Sequence, residues 1–72
     1  METLYDVQQL LKRFGIFIYV GNRLWDIELM MIEVKQLYEA GVIEQREYLN
    51  AIMVLRAEHQ LEQTIQEERA NE

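Results

Sequence analysis

Apolar residues recur at intervals of three and four along most of this chain, and glycines divide them into three helical blocks joined by short interruptions. The first block places Leu4, Val7, Leu10, Leu11 and Phe14 on one face and predicts a helix over 4–14. Thr3 is a good N-cap, Asp6 at N3 imitates a capping box, and Gly15 supplies the left-handed residue that ends a helix. The second block predicts a helix over 23–40, capped by Asn22 and closed by Gly41. One wide face of it carries Leu24, Ile27, Met30, Met31, Val34, Leu37 and Tyr38, while Trp25, Leu29 and Ile32 fall on the opposite side. Apolar residues on two sides predict a central helix covered by neighbours on both.

The third block predicts a helix over 45–65 with Tyr48, Ala51, Ile52, Leu55 and His59 turned inward. Glu44 is a mediocre N-cap, but Glu47 stands at N3, and Ile43 with Tyr48 has the spacing of a hydrophobic staple. Val54, Leu61 and Ile65 form a second stripe on this helix, which either extends the core or meets another subunit. The short link after Gly41 makes the last two helices an antiparallel αα-hairpin. A bundle over residues 1–66 followed by a frayed acidic tail over 67–72 is expected.

Between the first two helices, Ile16-Phe17-Ile18-Tyr19-Val20 has strand composition but no partner strand in the chain, and a lone strand is not stable. It reads as an extended apolar connector laid across the bundle, over the Trp25/Leu29/Ile32 stripe. The alternative is a strand that pairs with its copy in another subunit. The expected fold is all-α: one small domain, a three-helix bundle with the middle helix central.

Composition refines this picture. At 72 residues and 50% apolar, the chain can build only a modest core, so self-association is a live expectation. No basic, then apolar, leader opens the sequence, and the longest apolar run is five residues, so a cytoplasmic protein without a membrane span is expected. The net charge of −6 argues against generic nucleic-acid or acidic-membrane binding, yet it is uneven: residues 1–25 sum to +1 and the remainder to −7.

Catalytic chemistry lacks its parts. Serine and cysteine are absent, Thr3 and Thr64 sit near the chain ends, and none of the three glycines belongs to a phosphate-binding loop. His59 with Glu58 and Glu62 is the one cluster with metal-ligand chemistry, and no second histidine set completes it. No catalytic residue, metal, cofactor or small-molecule substrate is expected. Around the first helix and connector, however, Lys12, Arg13, Phe17, Tyr19, Arg23 and Trp25 mix cations with aromatic rings. Single-stranded nucleic acid is held by that pairing, with cations tracking phosphates while rings stack on bases.

The run Leu4-Tyr5-Asp6-Val7-Gln8-Gln9-Leu10-Leu11-Lys12, then Phe14-Gly15, Tyr19, Gly21, Arg23, Asp26-Ile27-Glu28, Met30, Leu37-Tyr38, Leu55-Arg56 and Glu58, resembles the YqgQ-like family of small bacterial proteins. Glu44 departs from it, since a better N-capping residue would be expected there. The resemblance implies a cytoplasmic three-helix bundle with no established biochemical role, for which single-stranded nucleic-acid binding has been suggested. Over a dozen residues, Leu37–Tyr48 also looks like the short oligomerising helix pairs at the ends of other bacterial proteins. Two readings of function follow. One is a non-catalytic module for single-stranded RNA or DNA, using Lys12, Arg13, Phe17, Tyr19, Arg23 and Trp25. The other is a protein-interaction or self-association module, using Leu29, Ile32, Val54, Leu61 and Ile65.

Overall fold

Helix α1 (Leu4–Lys12) starts where its local chemistry dictates. Thr3 is extended, its Oγ1 accepts the Asp6 N–H at 3.3 Å, and Asp6 Oδ2 accepts in return from the N–H groups of Glu2 (2.9 Å) and Thr3 (3.1 Å). Those two donors, Glu2 first, hold the Asp6 carboxyl below the usual aspartate range. A depressed folded pKa stabilises the fold above the unfolded value of about 3.9, and that contribution disappears as pH falls through the lower, folded value. Urea titrations across the acid range should therefore lose less stability in Asp6→Asn than in the parent between neutral pH and the acid limit. Equal acid losses in the two proteins would separate Asp6 from the effect.

The computed structural model describes residues 1–70, and among them no strand forms. Helix α2 (Arg23–Glu39) is capped by Asn22, whose side-chain oxygen accepts the Trp25 N–H at 3.0 Å. Gly15 and Gly41, at φ +74° and +75°, end α1 and α2 in the same way. The next residue's N–H reaches back five positions, Ile16 to the Leu11 carbonyl and Val42 to the Leu37 carbonyl, each at 3.1 Å. Helix α3 (Gln45–Ala70) then packs antiparallel on α2.

The core is small and continuous. Val7, Leu10 and Leu11 of α1 meet Ile27, Met30 and Val34 of α2 and Ala51 and Leu55 of α3, closed at the ends by Leu4 and Ile43. Tyr38 and Tyr48 stack at 4.5 Å between centroids, with their rings 5° from parallel, and lock the turn end of the hairpin.

Four expectations are corrected. First, α2 is not covered on both sides. Its apolar inner face packs in the core, but Trp25, Leu29 and Ile32 are exposed, because a nine-residue α1 can cover only one face of the hairpin. Second, the connector lies against the α1 side, with Ile16 and Ile18 packed on the core, and leaves that stripe bare. Third, Phe14 is exposed, since α1 stops at Lys12 and the turn toward Gly15 swings it off the apolar face. Fourth, α3 continues beyond Ile65 to Ala70. No glycine or proline interrupts this stretch, and its Glu, Gln, Arg and Ala residues favour helix without tertiary support. Residues 71–72 of the expected acidic tail lie outside the described residues. The Val54/Leu61/Ile65 stripe divides: Val54 joins the core, Ile65 is half-buried and Leu61 is exposed.

Candidate nucleic-acid interface

Residues 16–19 alternate in exposure along the chain, as an extended segment on a packed surface must, and Val20 breaks the alternation by standing half-exposed. Ile16 and Ile18 point down onto the core, while Phe17 and Tyr19 stand outward, 74% and 87% exposed. The segment's far end is held by Asp26. This carboxylate, almost fully buried in the first turn of α2, accepts the Val20 N–H through Oδ1 at 2.7 Å. The positive end of the helix favours a carboxylate there, and its oxygen satisfies a backbone donor that no sheet partner could serve.

Beneath the two rings runs a groove of about 350 Å³ lined in part by Lys12, Ile16, Phe17 and Tyr19. It adjoins a second depression, of about 290 Å³, that reaches Arg23 past the same Tyr19. Lys12, Phe17, Tyr19 and Arg23 therefore border one track running from the end of α1 to the start of α2. The other two members of the expected set do not join it. Arg13 turns toward the start of α3, where Nη1 lies 3.4 Å from Glu47 Oε2 and the guanidinium covers the Phe14 ring at 5.7 Å. Trp25 belongs to the bare outer stripe of α2 with Leu29 and Ile32.

Arg23 is also engaged, with Nη2 3.2 Å from Glu58 and Nε 3.7 Å from Glu62. Its side chain remains 54% exposed, and ion pairs this open are worth only about 0–1 kcal/mol, so a phosphate can compete for it. The metal-capable cluster is spoken for: Glu58 and Glu62 serve Arg23, and His59 Nε2 lies 3.2 Å from Glu28 Oε1. Among the described residues no group of three or more possible metal ligands converges. No helix of the described residues is long and apolar enough to cross a membrane.

Neither Asp26 as the clasp of the connector nor the ion pairs of Arg13 and Arg23 is expected from the sequence. Glu58 and Glu62, four apart on one helix face, were the available signal for a cation opposite them.

The chain belongs to the YqgQ-like family, whose model matches residues 1–61. It is also similar to a Bacillus subtilis (strain 168) protein named "Uncharacterized protein YqgQ", with 52% identity over 64 residues, 89% of this chain and 87% of that protein. The family match ends at Leu61, next to Glu62, and no side chain beyond Glu62 bonds to another element among the described residues.

Proposed function

We propose that this YqgQ-like protein is a non-catalytic, cytoplasmic module that binds single-stranded RNA or DNA along the connector. One observation carries the reading: Phe17 and Tyr19 are the two most exposed aromatic rings of the chain, on a segment anchored from below. Residues two apart on an extended segment are spaced by about 6.6 Å. Neighbouring bases splayed from a single strand can each find a ring at that spacing, at about 1–3 kcal/mol per base. Lys12 and Arg23 flank the rings and suit the phosphates on either side. A duplex keeps its bases stacked on one another and offers the rings nothing.

The test is a fluorescence-anisotropy titration of labelled single-stranded RNA and DNA at low and physiological salt. Two or three phosphate contacts predict a log–log salt slope between about −1.4 and −2.1. Phe17→Ala and Tyr19→Ala should each weaken binding by about 5- to 150-fold. Arg23→Glu should weaken it further, while Arg13→Glu, on another side of the molecule, should matter little. Absence of binding at low salt, or binding indifferent to loss of both rings, would remove the proposal.

Protein interaction is the second reading, and a different observation favours it: the uncovered stripe of Trp25, Leu29 and Ile32 on α2.

A further inference from the structure

Helix α1 covers one face of the α2–α3 hairpin and leaves the other open. On the open face, Ile32 of α2 and Ile52 of α3 line a shallow groove with Lys35 and Arg56 at its edges. Trp25, Ile32 and Leu49 on or beside this face are 59%, 52% and 49% exposed. A hairpin buried on both faces would form a four-helix layer, so the bare face has the character of half a core.

We propose that this face receives a second copy of the chain, packed antiparallel about a two-fold axis through Ile32. The distribution of charge on α2 selects this occupant. Glu28 lies one turn before Ile32 and Lys35 one turn after it, on the same side of the helix. An antiparallel two-fold at Ile32 therefore lays each Glu28 against the partner's Lys35, twice over, with the isoleucines between them, in competition with the exposed contacts that Glu28 makes to His59 and Lys35 to Glu39 within the chain. The parallel arrangement is opposed by α3: it would set the acidic ends carrying Glu62, Glu67 and Glu68 side by side, whereas the antiparallel one sends them to opposite ends of the dimer.

The size of the face places the contact among the small interfaces. An α2 of 17 residues is about 25 Å long. Two helices about 10 Å apart present roughly 500 Å² per copy. The total of about 1,000 Å² is at the lower edge of specific interfaces, so a weak, reversible dimer is expected. The connector stays outside this contact, so nucleic-acid binding and dimerisation are separable.

Sedimentation equilibrium from low micromolar to about 1 mM tests the proposal directly. The parent should dimerise reversibly. Ile32→Glu, at an exposed position that leaves the helices intact by circular dichroism, should raise the dissociation constant at least about 100-fold, because it buries two unpaired charges. Glu28→Lys alone and Lys35→Glu alone should each weaken the dimer by about 5- to 10-fold, and the double swap should restore it. Positions 28 and 35 are about 10.5 Å apart along one helix, too far to restore each other within a chain. A protein monomeric at about 1 mM overturns the proposal. So does a dimer that survives Ile32→Glu but is lost on Leu61→Glu, which would move the contact to the end of α3. Single swaps without effect overturn the antiparallel arrangement.

Discussion

Leu55→Ala is expected to remove most of the stability of this protein. Leu55 is completely buried at the junction of the three helices, among Val7, Leu11, Ile27 and Ala51 in one continuous core. Truncating a buried leucine costs about 2–5 kcal/mol, because the lost transfer free energy is joined by the cavity left behind. A core of this size rarely supplies more than about 3–5 kcal/mol in total. The melting temperature should fall by about 10–30 °C or the cooperative transition should vanish, read by circular dichroism at the helical signal. Leu55→Met, which keeps the volume, should cost under about 1.5 kcal/mol. If Leu55→Ala melted within a few degrees of the parent, the three helices would not share this residue as their common contact.

Asp26→Ala is expected to free the connector while sparing the bundle. The carboxylate is the acceptor for the Val20 N–H at 2.7 Å, so its removal gives up a part-buried hydrogen bond to a charged group and leaves that half-exposed donor to water. Such a loss costs about 1–3 kcal/mol. Asp26→Asn keeps a side-chain oxygen and should lose less. The direct readout is amide hydrogen exchange at Val20, which should accelerate in Asp26→Ala more than at Leu11 or Ile27. Nucleic-acid affinity should also drop, although Asp26 would touch no base, because the rings of Phe17 and Tyr19 would no longer be presented in fixed register. Unchanged exchange at Val20 would show that Ile16 and Ile18 alone hold the segment.

The helices were legible wherever their determinants are local. Thr3 with Asp6, Asn22 before Trp25, and Gly15 and Gly41 after their helices act within five residues of themselves, and each performs the expected part. The inner faces were legible too, because a 3.6-residue period is a property of the chain. What was not legible depends on which element arrives opposite. Periodicity cannot separate a second buried face from an open one, so Trp25, Leu29 and Ile32 read either as a covered face or as a partner surface, and the structure leaves them exposed. The ion pairs of Arg13 and Arg23 join residues 34 to 39 positions apart and exist only once α3 folds back. Of the six residues expected to form one basic and aromatic surface, four share a track because the connector's alternation and the α1–α2 packing align them. Arg13 and Trp25 depart because the turn after α1 and the helical phase of α2 carry them elsewhere.

Beyond Glu62, α3 runs on to Ala70 with no polar contact to the other helices, and the molecule is accordingly 44 Å long and only 21 Å and 18 Å across. One unbroken helix thus holds two regimes of lifetime. Near Leu55 the backbone opens only when the whole protein unfolds, whereas from Gln63 onward each turn can open on its own, as a short helix in water does. Limited proteolysis should therefore shorten the protein from this end in steps while the melting temperature of what remains holds nearly constant.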